Sequence, residues 1–289
     1  MSAARLRCSL GVAALALAGA ALPSPGAAQS RAAVEAERTE YATWLATAPL
    51  SPRRAVTVRP VGPGLTLGPP TADVPLDGVP AARLEERDGR ITLRLGADNV
   101  PIRRGRPSAL GRWRLLVSGP AGRATLTAFR DSIAPAEPPL WYPYDPKLAF
   151  PVLLVPDPAP STQRILAPDG VEVEATEPGS VGFELGGAPR TLRVMRLPGA
   201  TEDESDLEVY FRDATADRGS YPAGRFVSLS PLAGGRYLLD FNRARNPFCA
   251  YNTVYPCPAP WRGNTLPVPV PAGERYHGGA TPPRRPPGD

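Results

Sequence analysis

The chain has 289 residues, with 33 lysines and arginines against 28 acidic residues and a formal net charge of +5 at neutral pH. The basic residues are scattered, which argues against the clustered basic patch of a nucleic-acid-binding protein. The 39 prolines limit helix formation, because proline lacks an amide donor and clashes with the preceding turn. Composition therefore predicts a mainly β protein that does not bind nucleic acid.

Residues 1–28 have the pattern of a secretory signal peptide. Two arginines near the start precede an apolar run over residues 10–22, and Gly26 and Ala28 form a small-residue cleavage site. The apolar run is shorter than the roughly 20 residues that span a bilayer. We therefore expect an exported protein, periplasmic or secreted, without a membrane span after cleavage.

One amphipathic α-helix is predicted within residues 29–52, at the start of the mature chain. Ser30 is a suitable N-cap, and Pro49 and Pro52 end the helical pattern. The apolar face is formed by Val34, Tyr41, Trp44 and Leu45. A single helix with one apolar stripe must pack on another layer, most simply a β-sheet.

Short runs of alternating apolar and polar residues predict strands through the remainder of the chain. These strands are 55–59, 91–95, 113–117, 124–129, 152–155, 171–175, 181–185, 191–197, 207–212, 225–229 and 236–240. No regular alternation of strands with helices is present, so a parallel α/β fold is not expected. Residues 53–277 are predicted to form a β domain, an antiparallel β-sandwich or a barrel-like fold.

Two pairs of these strands are predicted to be hairpins. The first joins 171–175 to 181–185 through Glu177-Pro-Gly-Ser180, and the second joins 225–229 to 236–240 through Ala233-Gly-Gly235. Both linkers contain the glycines that tight turns favour.

A proline-rich stretch near residues 156–161 indicates a sub-boundary within the β domain. An Arg-Asp pair ends a strand on each side of it, at 130–131 and at 212–213. This repeated Arg-Asp feature favours two related β halves. Residues 278–289 lack an apolar anchor and are expected to form a disordered, proline-rich tail.

The segment from Asp240 to Cys257 combines amides, arginines, aromatics, prolines and two cysteines at unusual density. Further motifs lie at 141–146, 211–226, 264–267 and 272–274. Together they resemble the signature of a bacterial family known as domain of unknown function 1684. The resemblance spans roughly Trp44 to Glu274, and it implies no particular activity.

Cys249 and Cys257 are the two cysteines that remain after signal cleavage. In an exported protein such a pair most simply forms a disulfide, with a metal site and a redox couple as alternatives. Zinc would require two further nitrogen or sulfur ligands, and His277 is the single histidine. We therefore expect a structural disulfide, with neither a metal nor a cofactor.

Eight polar residues make up the candidate ligand-binding site. They are Arg212, Asp213, Tyr221, Arg225, Asp240, Asn242, Arg243 and Asn246. Arg225 and Asp240 lie on the two strands of a predicted hairpin, so we expect them to be neighbours. Because guanidinium groups match carboxylate and phosphate bidentately, the leading interpretation is a non-catalytic module that binds a small anionic or sugar-like ligand.

Two other functions remain open at this point. Asp213 with Asp240 or Glu274 would supply the two carboxylates of a hydrolase. Alternatively, the polar cluster only fixes an irregular C-terminal segment, and the protein is a structural component of the cell envelope. A cleft with paired acids favours the hydrolase, an arginine-lined pocket favours binding, and a filled site favours the structural function.

Overall fold

The computed structural model describes residues 30–133, 136–198, 205–276 and 278. The predicted signal peptide, His277 and nearly all of the predicted tail lie outside these residues. None of the helices within the described ranges combines the length and the apolar character needed to cross a membrane.

The predicted helix is confirmed as α1, Arg31–Thr47. The Ser30 side chain accepts a hydrogen bond from the backbone N–H of Ala33, which satisfies one of the donors left free at a helix start. Val34, Tyr41 and Leu45 are buried beneath the helix. The aromatic contacts of this apolar face are made with Trp141, Phe248 and Tyr251, which lie outside the strands, and not with a sheet as predicted.

The first half of the chain forms two sheets that share one core. One sheet has the strand order β1-β9-β8-β7, and the other has the order β3-β2-β4-β5-β6. The strands are β1 Ala55–Pro60, β2 Leu65–Gly68, β3 Val74–Pro75, β4 Ala82–Arg87, β5 Arg90–Leu95, β6 Asp98–Ile102, β7 Ser108–Leu110, β8 Trp113–Ser118 and β9 Thr125–Arg130. All neighbours are antiparallel except β2 and β3. The alternation pattern missed β2, β3, β4, β6 and β7, which are short or rich in charged and exposed residues.

The second half forms a closed ring of six antiparallel strands, which confirms the mainly antiparallel β prediction. The strands are β10 Ala149–Leu166, β11 Glu172–Leu185, β12 Ala188–Pro198, β13 Ser205–Phe211, β14 Arg225–Pro231 and β15 Arg236–Asp240. Each strand pairs with the next, and β15 pairs back with the first residues of β10. Val209, Phe211, Leu239 and Phe241 are fully buried in its core.

The predicted hairpin between 171–175 and 181–185 is wrong, because both segments belong to the single strand β11. The linker is not a turn but an irregularity, where the pairing with β12 shifts between Thr176 and Gly179. Gly179 has φ +149°, and a Cβ there would overlap the carbonyl oxygen of Val155 on β10. Glycine is therefore required for close approach of two strands, and not for chain reversal.

The hairpin of β14 and β15 is confirmed, with a short 3-10 turn at Ala233–Gly235 between them.

The proline-rich residues 156–161 lie within β10, where the pairing with β11 shifts between Pro156 and Ser161. The two halves on either side differ in topology, since the first has two open sheets and the second a closed ring.

Residues 241–276 follow β15 without forming a further strand in the sheets. They contain two short 3-10 turns, Phe241–Arg243 and Phe248–Ala250, and a few isolated bridges. A long irregular segment that is largely buried must satisfy its backbone polar groups with side chains. This requirement explains much of the polar density seen in the sequence.

Candidate functional site

Arg225 and Asp213 form a buried ion pair at the start of β14. Their side chains are 1% and 2% exposed, and the Nη2 atom of Arg225 lies 3.1 Å from an Asp213 oxygen. Arg225 also donates to the carbonyl oxygens of Val270, Ala272 and Glu274. The second Asp213 oxygen accepts from the Val270 N–H at 2.7 Å. The pair therefore fastens residues 270–274 to the ring and leaves no open face for a ligand.

Asp240, Asn242 and Arg243 form a second network. Asp240 accepts from the backbone N–H and the side-chain amide of Asn242 at 3.0 and 2.8 Å, and from Nε of Arg243 at 3.2 Å. Arg243 also forms an ion pair with Glu37 on α1. Arg38 donates to the Asn242 carbonyl oxygen at 2.9 Å. This network ties the N-terminal helix to the end of β15.

The predicted proximity of Arg225 and Asp240 is wrong. In the hairpin Leu229 pairs with Leu239, so Asp240 lies just beyond that pair on β15, whereas Arg225 lies at the far end of β14. Arg225 instead faces Phe211 on β13 in the register of the ring. The two charged residues therefore belong to separate networks, because Arg225 lies on the part of β14 that pairs with β13 and beyond its pairing with β15.

Two other predicted site residues have local roles. Arg212 is partly exposed and lies 3.2 Å from Asp217. The Tyr221 hydroxyl lies 3.3 Å from each sulfur of Cys249 and Cys257, which are joined by a disulfide with a Cα–Cα distance of 5.5 Å. Tyr221 is therefore packed against the expected disulfide.

Removing this disulfide is expected to lower the free energy of unfolding by about 2.5 kcal/mol, since the cross-link restricts a short loop of the unfolded chain. The double variant Cys249→Ser/Cys257→Ser avoids a stray thiol, and urea denaturation measures the effect. Mass spectrometry of non-reduced peptides should show one linked pair. Two free thiols, or one zinc ion bound per chain, would contradict the assignment.

An open cleft with a volume of about 640 Å³ lies between α1, the ring and the irregular segment. The helix contributes Glu37, Glu40, Tyr41 and Trp44, strands β13 and β14 contribute Glu208 and Ser228, and the irregular segment contributes Arg243, Arg245, Asn246 and Phe248. Of the eight predicted site residues, only Arg243 and Asn246 line it. The cleft is therefore a different place from the cluster that the sequence indicates.

Asn246 has an unusual hydrogen-bonding state for a residue that is 4% exposed. Its backbone N–H donates to Glu274 at 2.9 Å, and its side-chain nitrogen donates to the carbonyl oxygen of Arg275 at 3.1 Å. Its Oδ1 atom is buried and has no hydrogen-bond partner within the described ranges. A buried acceptor without a partner is rare in folded proteins and calls for a donor from outside the chain, such as water or a ligand.

Glu208 lies on β13, is buried and lines the cleft. The residue is 9% exposed, and the hydroxyl of Ser228 donates to its Oε1 atom at 2.6 Å. Burial raises the pKa of Glu208 to about 7; Asp206 acts in the same direction and Arg245 opposes it. A carboxyl whose pKa lies near neutrality in a cleft is a frequent feature of functional sites.

Sequence reasoning missed Glu208 for a structural reason. Alternation along residues 207–212 places Glu208 on the outer face of a strand, which is usually solvated. In the folded chain Glu208, Val209 and Tyr210 are all buried, because both faces of β13 are covered. No local signal distinguishes such a strand from an ordinary half-exposed one.

An aromatic stack forms the helix side of the cleft. The Arg245 guanidinium lies 4.1 Å from the centroid of the Tyr41 ring. Tyr41 stacks on Trp44 at 5.7 Å, and Trp44 lies 5.9 Å from Phe248. Trp44 and Phe248 are only partly buried. The cleft thus presents aromatic surface next to polar groups.

Glu274 lies behind this wall and does not line the cleft. It accepts hydrogen bonds from the Tyr251 hydroxyl and the Asn246 N–H, and the Tyr251 hydroxyl also accepts from that of Tyr41 at 3.2 Å. Burial raises the pKa of Glu274 to about 7. Arg245 lies close enough to Glu208 and Glu274 to lower the pKa of both.

The three carboxylates considered for a hydrolase therefore have structural roles. Asp213, Asp240 and Glu274 are all buried, each accepts hydrogen bonds from the protein, and none lines the cleft. Across the described residues, no three histidine, cysteine or acidic side chains are grouped so as to hold a metal ion.

The match to a protein family covers the C-terminal half of the chain. The family model described as "Protein of unknown function (DUF1684)" matches residues 140–275. The solution NMR structure of an uncharacterized protein from Haloarcula marismortui is 33% identical, with 48% of this chain and 76% of that chain covered and a TM-score of 0.42. No curated protein sequence matches the chain. Helix α1 and the first two sheets precede the matched residues, whereas the ring and the irregular segment belong to them. Over residues 140–275 the chain is a member of the DUF1684 family.

Proposed function

We propose that the protein is a non-catalytic binding module for a small polar ligand, and that the ligand occupies the cleft between α1 and the ring. The observation that carries this proposal is that Asn246, a lining residue of a cleft of about 640 Å³, has a buried Oδ1 atom without a hydrogen-bond partner among the described residues. This volume lies within the range of small-molecule sites, which is on the order of 300–1,000 Å³.

The lining has the composition of a small-molecule site. Such sites combine apolar and aromatic walls with a few polar groups that fix the orientation of the ligand. Here Trp44 and Phe248 supply the aromatic wall, and Glu208, Arg245 and Asn246 supply the polar groups. The signal-peptide pattern of residues 1–28 supports a periplasmic or secreted location for this binding function.

The polar residues of the two hydrogen-bond networks have a structural function, whereas other polar residues line the cleft. Arg225 and Asp240 hold residues 241–276 in place, and this segment in turn positions Arg245, Asn246 and Phe248 at the cleft. A non-catalytic role is also consistent with the burial of Asp213, Asp240 and Glu274. The predicted cluster is thus the support of the proposed site.

The proposal is tested by a thermal-shift screen of metabolites and sugars on the mature chain, followed by calorimetric titration of the hits. Trp44→Ala and Asn246→Ala should each weaken binding about fivefold or more, because loss of a stacking or hydrogen-bonding partner in a site costs on the order of 1–3 kcal/mol.

Arg212→Ala is the matched control, since Arg212 belongs to the sequence-predicted cluster but does not line the cleft. It should leave affinity unchanged. A hit whose affinity depends on Arg212 and not on Trp44 would place the site elsewhere, and a screen without any hit would contradict the binding function.

A further inference from the structure

The charges around the cleft are nearly balanced. Its lining contains three glutamates and two arginines. Arg243 is engaged by Glu37 and Asp240, at 17% side-chain exposure, so its charge is already neutralised by the protein. Arg245 is the second cation, and it lies close to both Glu208 and Glu274. The cleft therefore has no excess positive charge with which to attract an anion.

Donors and acceptors are mixed on the lining. Arg245 presents donors, since within the described part of the chain its guanidinium makes neither a hydrogen bond nor an ion pair, whereas the Ser228 hydroxyl already donates to Glu208. Acceptors are supplied by the Glu40 carboxylate and by the buried Oδ1 atom of Asn246, both of which belong to lining residues. An anion can only accept and would be opposed by the glutamates, whereas an ammonium group can only donate and would be opposed by Arg245. A hydroxyl group donates and accepts, so it satisfies both kinds of partner.

The aromatic wall adds a requirement on shape. Trp44 and Phe248 offer ring surface at the edge of the cleft, next to these polar groups. Aromatic faces of this kind pack well against a flat, weakly polar ring face. A linear polyol would leave this surface without a matching partner.

From these three features we infer that the ligand is an electrically neutral ring compound with several hydroxyl groups, of the saccharide or cyclic polyol type. This inference rests on the proposed binding function and narrows it. One face of the ring lies on Trp44 and Phe248, and its hydroxyls reach the Asn246 Oδ1 atom, Glu208 and Arg245. The anionic ligand that the arginine content indicates is disfavoured, because Arg243 is already paired within the fold and three glutamates line the cleft beside Arg245.

The test compares rings of matched size that differ in charge, by ligand-observed saturation-transfer NMR at pH 7. The neutral set contains D-glucose, D-galactose, myo-inositol and common disaccharides; the anionic set contains D-glucuronate and D-glucose 6-phosphate; the cationic set contains D-glucosamine and D-galactosamine. We expect binding within the neutral set and affinities at least about tenfold weaker for the charged analogues of any binder.

Two variants with altered charge provide an independent readout on the neutral binder. Glu208→Gln and Arg245→Gln each remove one charge but keep a hydrogen-bonding side chain. For a neutral ligand both variants should weaken binding to a similar extent, because each replaces a charge-assisted hydrogen bond to a hydroxyl with a weaker neutral one. An anion would bind more tightly to Glu208→Gln and more weakly to Arg245→Gln, and a cation would show the reverse. Thermal unfolding confirms that each variant is folded.

The outcomes separate the two proposals. Tight binding of a charged ligand in the cleft, sensitive to Trp44→Ala, would overturn the neutral ligand class and leave the binding function standing. Binding of a neutral ring that is insensitive to Trp44→Ala and Asn246→Ala would overturn the placement in the cleft. Absence of binding by all three sets would overturn the ligand class inferred here, and the wider metabolite screen then decides the binding function.

Discussion

Arg225→Ala is expected to lower the free energy of unfolding by about 3–5 kcal/mol, the largest effect of any single substitution considered for this protein. The reason is that Arg225 is fully buried, so its removal leaves the Asp213 carboxylate as an uncompensated charge in the core. The carbonyl oxygens of Val270 and Ala272 lose a donor at the same time. Residues 270–274 should then detach from the ring.

Arg212→Ala is the matched control for this experiment. Arg212 directly follows Phe211, the residue that faces Arg225 in the register of the ring, but its ion pair with Asp217 is exposed to solvent. Exposed pairs contribute about 0–1 kcal/mol, so this variant should remain close to wild-type stability. Urea denaturation of the two variants at one pH gives the comparison. Equal and small effects would show that the Arg225 network does not hold the C-terminal segment.

Glu208→Gln is expected to stabilise the protein above neutral pH by up to about 3 kcal/mol, and to have little effect near pH 4. Burial raises the pKa of Glu208 from its ordinary value of 4.5 to about 7, so the folded protein retains this proton more strongly than the unfolded chain does. As the pH rises from about 4.5 to about 7, the unfolded state gains stability by ionising first. The wild-type free energy of unfolding therefore falls across this window, and glutamine removes that loss.

The groups that face Glu208 affect the size of this effect but not its sign. Asp206 raises its pKa further, Arg245 lowers it, and Ser228 donates to the carboxyl. Glu274 also has a pKa raised to about 7, and it titrates in both proteins, so the difference between variant and wild type isolates Glu208.

The measurement is the free energy of unfolding in urea at pH 4.5 and pH 8.5. Glu40→Gln is the control, because Glu40 lines the same cleft but is exposed, and such substitutions change stability by roughly 0.5 kcal/mol or less. A Glu208→Gln difference that is the same at both pH values would mean that Glu208 has the same pKa in the folded and unfolded states, and so is not desolvated as the geometry indicates.

Much of the fold follows from short-range patterns. Ser30 caps α1 at the predicted place, and the alternation of residues 113–117 and 124–129 corresponds to β8 and β9. These elements form because capping and alternation act over a few residues, where the chain itself supplies the partners. The disulfide partners are equally local, since the two cysteines are separated by 8 positions.

The failures have one physical cause, which is the close approach of distant segments. The Pro-Gly at residues 178–179 has the composition of a turn, but β10 passes so near that glycine serves the packing of two long strands. Arg225 and Asp240 lie on paired strands, yet the register and the neighbour on the other side of β14 place them in different networks. Local composition does not encode either arrangement.

The sequence alone thus determined the helix, the antiparallel β character, the family motifs and the cysteine pair, because each depends on residues close in the chain or on a compact signature. Only the tertiary structure decided which polar residues hold the irregular C-terminal segment in place and which line the cleft. Arg38 reaches the Asn242 carbonyl across 204 positions of sequence, and Glu208 is buried only because other parts of the fold cover β13. Burial and partner choice at such distances depend on how separate elements pack against one another, and a linear pattern carries no information about that packing.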